Sequence, residues 1–305
     1  MPAVAETSAP APHSAGLYRA TMFDLGAWLA RLLPLPLLRV FAAVAGRLYA
    51  LAHPRRVAIV HRNLQLLDSS LTKKTAQKVY AEFGKTLADY FHIGTRPPED
   101  AMTIIAQIDG EEHLQRARTL GQGALIVTAH FGLFELGGLL LARQGYDAAV
   151  LTYPEPSASL SRWRAAFRAR WKVDTLEVGA DSFAFLHIAE RLRRNGFVAS
   201  LIDRPHPTES TPVLLPRGIA HFSTGILLLA AHGRVPVIPA TMVRRPDGLY
   251  HARIFPPLFI ATRASRADTL GFYSQQIADT ILPVLCAYPE QWYQFVPVAA
   301  PTATA

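Results

Sequence analysis

Ala124-Leu125-Ile126-Val127-Thr128-Ala129-His130-Phe131-Gly132-Leu133-Phe134-Glu135-Leu136-Gly137-Gly138 carries the decisive pattern of this chain. Residues 124–129 form a short uncharged run with the composition of a buried strand. His130 falls just past its end, and a helix is expected from about Gly132 to Arg143. The same alternation continues on both sides. Ala148 to Thr152 and Phe197 to Ile202 read as further strands, with helices at about Ser159–Trp171 and Asp181–Arg194 between them. Ser223 reads as the cap of a helix ending near His232. Val235 to Val243 is a strand that Pro246-Asp247-Gly248 turns into a hairpin with Tyr250–Phe255. A helix at about Thr72–Phe91 precedes this block, and one over Arg266–Leu285 closes it. The expected fold is α/β: a mixed, mostly parallel central sheet flanked by helices, with ligands at the carboxyl ends of the strands. N-terminal membrane-associated helices are expected to precede it.

The N-terminal segment differs in kind. Met22 to Ala52 is strongly apolar, yet Asp24, Arg31, Arg39 and Arg47 interrupt it. Its uncharged runs fall well short of the roughly 20 residues that a spanning helix needs. The three arginines recur every eight residues, which keeps them near one helical face. Pro34 and Pro36 break or kink the helix between them. One or two amphipathic helices lying in a bilayer interface, arginines toward phosphates, account for this. An ordinary core-packing helix pair with solvated arginines is the alternative. The expected organisation is a disordered tail over 1–21, a membrane-associated helical segment over 22–56, a catalytic domain over 57–298 and a flexible tail over 299–305. No signal peptide is expected.

Composition agrees with a membrane-associated globular protein. Of 305 residues, 50% are hydrophobic and 18% charged, and 31 Lys and Arg against 23 Asp and Glu leave a net charge of +8. A basic surface suits anionic lipid or an acidic protein partner. No zinc-finger spacing or RNA-binding aromatic motif is present, so nucleic acid is not an expected partner. The single cysteine, Cys286, sits in an apolar run and is expected to be a buried structural thiol. No His/Cys/Asp cluster has metal-ligand spacing, so neither metal nor cofactor is expected.

The chemistry is expected at His130 and Glu135. In one continuous helix, five residues separate side chains by about 140°. A strand-to-turn-to-helix path eased by Gly132 instead lets Glu135 fold back onto the imidazole. A carboxylate on Nδ1–H leaves Nε2 free to take a proton. The helix N-terminus beside it offers amides to a developing oxyanion. Such a site suits deprotonation of a hydroxyl that attacks a thioester directly. A serine hydrolase is disfavoured because no Gly-x-Ser-x-Gly elbow occurs. A catalytically dead membrane scaffold is disfavoured by the intact His130 and Glu135. Asp203 is expected to position the acceptor or Arg204. Arg204 and Arg217 read either as ligands of phosphate or donor, or as surface ion-pairing residues. Trp163, Phe167 and Trp171 recur every four residues beside Arg162, Arg164, Arg168 and Arg170. That pattern reads as a dock for an acidic carrier or a lipid surface, or as an aromatic core stripe with a solvated basic face.

His130 to Glu135 resembles the His-x4-Asp/Glu motif of glycerolipid-type acyltransferases. More specifically, the chain resembles the lipid A biosynthesis (lauroyl/myristoyl) acyltransferase family. His61-Arg62-Asn63-Leu64 is similar to that family's Arg-Asn-Leu segment, and Leu201-Ile202-Asp203-Arg204 to its strand ending in Asp-Gln or Asp-Arg. Ser223-Thr224-Gly225 through Val235-Pro236-Val237-Ile238-Pro239 resembles its threonine-glycine, helix and proline-ended strand block. Tyr288-Pro289-Glu290-Gln291-Trp292 is similar to its C-terminal Pro-Glu-Gln-aromatic motif. The resemblance implies an acyl donor on acyl carrier protein, a membrane glycolipid hydroxyl as acceptor, and the cytoplasmic face of a bacterial inner membrane. Three segments depart from the family pattern: Tyr153-Pro154-Glu155-Pro156 lacks an arginine, Leu215-Pro216-Arg217 replaces Phe-Phe-Gly, and Tyr293-Gln294-Phe295 replaces a basic ending. These differences leave a phosphate-poor lipid or an amine as an alternative acceptor.

Overall fold

The computed structural model describes residues 20–153, 157–178, 184–206 and 209–299. The tails expected over 1–21 and 299–305 lie almost wholly outside them, as does most of Tyr153–Pro156.

Four helices come first: α1 (Ala20–Leu32), α2 (Leu35–Ala52), α3 (Pro54–Gln65) and α4 (Lys73–Gly94). After the short α5 (Pro98–Ala101) the α/β region runs β1 (Ile105–Asp109), α6 (Glu111–Leu120), β2 (Ala124–Thr128), α7 (Glu135–Arg143) and β3 (Ala148–Thr152). It continues as α8 (Ala158–Ala169), β4 (Asp174–Glu177), α9 (Ala184–Arg193) and β5 (Phe197–Leu201). A separate antiparallel hairpin follows, β6 (Thr211–Leu215) and β7 (Gly218–Phe222), then α10 (Ile226–Gly233), β8 (Val237–Arg244), β9 (Tyr250–Ile254) and α11 (Arg266–Ala287).

The main sheet has the order β1-β9-β8-β2-β5-β3-β4. β8, β2, β5, β3 and β4 are mutually parallel, β9 is antiparallel to β8, and β1 is parallel to β9. The expected mixed, mostly parallel sheet is therefore present. Period-two side-chain alternation explains why the central strands carry uninterrupted apolar runs. Leu125, Val127 and Val198 face one layer with Ile188, Ile277 and Leu227; Ala124, Ile126 and Phe197 face the other with Leu114, Leu136 and Phe167.

Several local expectations shift. α7 begins at Glu135 rather than Gly132, because Gly132 adopts φ +54° in the turn before it. Ser223 does not cap α10; its amide donates to the Ile202 carbonyl, and Gly225 occupies the N-cap. Cys286 is exposed on α11 rather than buried.

α1 and α2 are separate helices broken at Pro34. α2 lies lengthwise on α4. Its small inner face allows close approach: a Cβ at Gly46 would meet the Tyr80 carbonyl oxygen at 2.2 Å, and one at Gly84 would meet that of Ala42 at 2.2 Å. The opposite face of α2 leaves Leu37, Val40, Phe41, Val44, Leu48 and Leu51 exposed. α2 is the one described helix long and apolar enough to cross a membrane by length and composition. The arginine stripe is not uniform. Arg47 is exposed, but Arg39 turns inward, where its Nε donates to Asp89 at 2.6 Å and its Nη2 to the Gly248 carbonyl at 2.7 Å.

Candidate active site

β2 and β5 are neighbours in register, with Thr128 opposite Leu201. His130 follows the end of one strand and Asp203 the end of the other. Parallel pairing therefore sets the two side by side although 73 positions separate them. His130 Nδ1 lies 2.7 Å from Asp203 Oδ1, and the His130 amide donates to Asp203 Oδ2 at 2.9 Å. An ionised carboxylate only accepts, so Nδ1 carries the proton and Nε2 is left as the basic nitrogen. The imidazole keeps 16% of its surface exposed, and the Phe134 ring packs edge-on against it at 5.6 Å.

This corrects the expected partnership. Glu135 is not bonded to His130. Its carboxylate is held in a fork by Arg168, with Nε to Oε2 at 3.0 Å and Nη2 to Oε1 at 2.5 Å. The two side chains are 8% and 4% exposed, so this is a buried, charge-assisted pair. As the first residue of α7, Glu135 points toward α8 rather than back over the turn.

Electrostatics match that arrangement. Burial, followed by repulsion from Arg204, holds His130 below its ordinary value against the opposing pull of Asp203. Burial pushes Asp203 upward, but His130 and its hydrogen bond outweigh it, so Asp203 stays in the lower carboxylate range. Burial likewise opposes Glu135, and Arg168 wins, lowering it. The site at neutral pH thus holds a neutral imidazole between two ionised carboxylates, each with a dedicated partner.

The basic cluster expected on α8 divides. Arg168 is buried on Glu135 and belongs to no surface. Arg162 and Arg170 are exposed, and Arg170 donates to the Gly94 carbonyl. Arg164 is half-buried, with its guanidinium 5.7 Å from the centre of the Phe23 ring. The aromatic stripe is core: Phe167 and Trp171 are buried, Trp163 stacks on Phe167, and Trp163 Nε1 donates to Asp24 of α1 at 3.0 Å. Arg204 lies beside the dyad, donating to Gln294 Oε1 at 3.1 Å and to the Tyr293 carbonyl at 3.0 Å. Arg217 is elsewhere, exposed in the β6–β7 turn, with its amide on the Leu66 carbonyl. Gly132 has a steric role: a Cβ there would lie 1.8 Å from the Met242 carbonyl oxygen.

Sequence reasoning gave no role to Asn63, Trp292 or Gln294, all buried near the dyad. Trp292 Nε1 donates to Asp203 Oδ2 at 2.9 Å, and Gln294 Nε2 donates to the same oxygen. Their segments stood out only as resemblance. A glutamine set among Trp292, Tyr293, Phe295 and Val296 was the available signal for Gln294; Asn63, among His61, Arg62 and Gln65, carried none. Among the described residues, no group of His, Cys, Asp and Glu is arranged to hold a metal ion.

Comparison with known proteins adds an independent finding. The family described as bacterial lipid A biosynthesis acyltransferase matches residues 16–297. The chain is similar to the lipid A biosynthesis lauroyltransferase of Escherichia coli K12, 23% identical over 283 residues, covering 90% of this chain and 89% of the relative. It is also similar to the palmitoleoyltransferase of lipid A biosynthesis from the same organism, 24% identical over 241 residues, covering 75% and 76%. A lipid A biosynthesis acyltransferase of Shigella flexneri matches over the same share at the same identity.

Proposed function

Because the chain belongs to the bacterial lipid A biosynthesis acyltransferase family and is an acyltransferase, we propose that it transfers a fatty acyl chain from acyl carrier protein to a hydroxyl of a lipid A-like membrane glycolipid, with His130 as general base. The observation that carries the mechanism is the His130–Asp203 hydrogen bond at the carboxyl ends of β2 and β5. Asp203 holds the Nδ1–H tautomer, so Nε2 removes the acceptor's proton as its oxygen attacks the thioester carbonyl. The imidazolium that forms is stabilised by Asp203. The Leu136 and Gly137 amides already donate to the Leu133 and Phe134 carbonyls, so the Phe134 and Glu135 amides, at the positive end of the α7 dipole, are assigned to the tetrahedral oxyanion, which collapses with departure of the carrier thiolate. His130 returns its proton to that thiolate. Glu135 acts with Arg168: the pair packs α7 against α8 beside the imidazole rather than bonding to it.

The acyl carrier protein donor is supported by the exposed arginines of α8, Arg162 and Arg170, which suit an acidic carrier. Attachment to a membrane is supported by the exposed apolar faces of α1 and α2, and its assignment to the cytoplasmic face of the inner membrane rests on the proposed acyl carrier protein donor. α2 is bound along its length to α4 and tied to it by Arg39–Asp89, an arrangement that favours lying in the interface over crossing the bilayer.

The test is consumption of dodecanoyl acyl carrier protein by purified protein, with and without a lipid A precursor in mixed micelles. Lipid-dependent consumption that falls by about 10²–10⁴-fold in folded His130→Ala supports the reading. Near-wild-type turnover of that variant refutes His130 as base. Release of free fatty acid without lipid would make the protein a hydrolase.

A further inference from the structure

We propose that the C-terminal strap from Pro289 to Val298 belongs to the catalytic apparatus: Trp292 and Gln294 are positioning residues that hold Asp203 on the imidazole, and Asn63 is the peg that holds the strap. The proposal rests on His130 acting as base. Its geometry is independent of which lipid accepts the acyl chain.

The strap grips both members of the dyad. Its backbone lies antiparallel to the turn that carries His130: Phe131 bridges to Trp292, the Tyr293 amide donates to the His130 carbonyl at 2.7 Å, and the Gly132 amide donates to the Gln291 carbonyl at 3.0 Å. Its side chains take the other member. Asp203 Oδ1 receives the imidazole, while Oδ2 receives the His130 amide, Trp292 Nε1 and Gln294 Nε2. Gln294 Nε2 also donates to the Asp203 carbonyl at 2.9 Å. Donors gathered on one oxygen stop the carboxylate from rotating and reserve the other oxygen for Nδ1–H. The orientation of the Gln294 amide is enforced as well. Arg204 has only donors, so the atom it meets at 3.1 Å must be Oε1, which turns Nε2 toward Asp203.

The strap is in turn pinned at both ends. Gln291 exchanges two hydrogen bonds with the backbone of Arg244 at the end of β8, at 2.9 and 2.7 Å. Asn63, on α3 and 3% exposed, donates Nδ2 to the carbonyls of Gln294 at 2.9 Å and Val296 at 2.7 Å, and accepts from the Val298 amide at 3.2 Å. The helix that follows the lipid-facing segment therefore carries the anchor of the strap that orients Asp203. Trp292 and Gln294 are each 1% exposed, so bulk water does not supply a replacement donor when either is removed.

The test uses full-length Trp292→Phe, Gln294→Met and Asn63→Leu in the dodecanoyl acyl carrier protein assay with a lipid A precursor. Melting temperature is followed in parallel, and the His130 imidazole is titrated by NMR. Trp292→Phe and Gln294→Met should each lower kcat by about tenfold with KM within about twofold, the pattern of lost transition-state positioning. Asn63→Leu should lower kcat in the same sense. In Trp292→Phe the carboxylate, relieved of one donor, draws the imidazole proton more strongly, so the acid limb of kcat/KM and the NMR midpoint should both move to higher pH. The other charges near the ring, Arg204, Arg164 and the Glu135–Arg168 pair, are unchanged in that variant. A purely structural strap would lower the melting temperature and leave kcat and the acid limb in place. That result in folded Trp292→Phe overturns the proposal. If Trp292→Phe does not fold, a wild-type kcat in Gln294→Met overturns it, and loss of fold in both makes the strap a stability element and overturns it too. If His130→Ala retains turnover, the base assignment fails first; if His130→Ala is inactive while both strap variants keep wild-type kcat, only the strap proposal fails.

Discussion

Removing one partner of the Glu135–Arg168 pair measures how strongly the wall of the site depends on it. Arg168→Met keeps the aliphatic stem and deletes the guanidinium. Both side chains are buried, at 8% and 4% exposure, so solvent screening does not discount the loss. An uncompensated buried carboxylate costs about 3–5 kcal/mol. At roughly 2 °C per kcal/mol for a chain of this size, the melting temperature should fall by about 6–10 °C at pH 8. The pH dependence carries the sign. In the wild type Glu135 is lowered below its ordinary 4.5, so its contribution is present above that value and lost as pH falls through the folded-state value. In Arg168→Met, burial, the largest influence on Glu135, is opposed only by the weaker pull of Arg164 and His130, and the value should rise above 4.5. Stability of the variant is then greatest at low pH and declines as pH rises past 4.5. The variant should consequently be less impaired at pH 5 than at pH 8. Glu135→Leu combined with Arg168→Met should recover to within about 2 kcal/mol of wild type, because neither charge remains to be desolvated. Denaturation in detergent micelles, followed by tryptophan fluorescence at both pH values, reads all three. A single variant within about 1 kcal/mol of wild type at pH 8, or one no better at pH 5, would refute the reasoning.

Asp203→Asn should cost about 10²–10⁴-fold in kcat by allowing the wrong imidazole tautomer, while Glu135→Gln, which keeps one acceptor for Arg168, should cost less; the reverse order in steady-state kinetics would return Glu135 to the role of direct partner. The reactive form has neutral His130, so activity is present above its pKa and lost as pH falls through it. Because burial and Arg204 lower that value, the acid limb of kcat/KM should lie below 6.5, and Arg204→Gln should move it upward; a wild-type limb at or above 6.5 contradicts this. Replacing the exposed Arg162 and Arg170 by glutamine should raise KM for acyl carrier protein at low salt with little change in kcat; an equal loss with coenzyme A donors would place them on the acceptor or membrane side. Val44→Asp and Leu48→Asp on the outer face of α2, which remove apolar contact and add no attraction to anionic lipid, should release the protein from anionic liposomes in flotation assays without lowering its melting temperature, and undiminished flotation would exclude that face as the lipid contact.

Local pattern was sufficient for the elements on which the site is mounted. The uncharged runs at 124–129, 148–152 and 197–202 became β2, β3 and β5 because strands buried on both faces need apolar side chains at every position. His130 at a strand end and the apolar, arginine-interrupted helices of the N-terminal segment were legible for similar reasons of composition and period. Partnership was not. His130 and Glu135 are near in sequence, but a turn with positive φ at Gly132 sends Glu135 toward α8, where Arg168 meets it. Asp203 reaches His130 only because β5 lies beside β2 in parallel register, an arrangement set by packing across the whole sheet. Arg39 and Arg168 read as surface charges from their helical period, yet each turns inward to a carboxylate that another helix supplies. Helical spacing determines which residues share a face; only the packed structure decides what that face meets. The strap followed the same rule: Trp292, Gln294 and Asn63 were visible as residues, but the convergence of Trp292 and Gln294 on Asp203, and of Asn63 on the strap backbone, exists only in the folded chain.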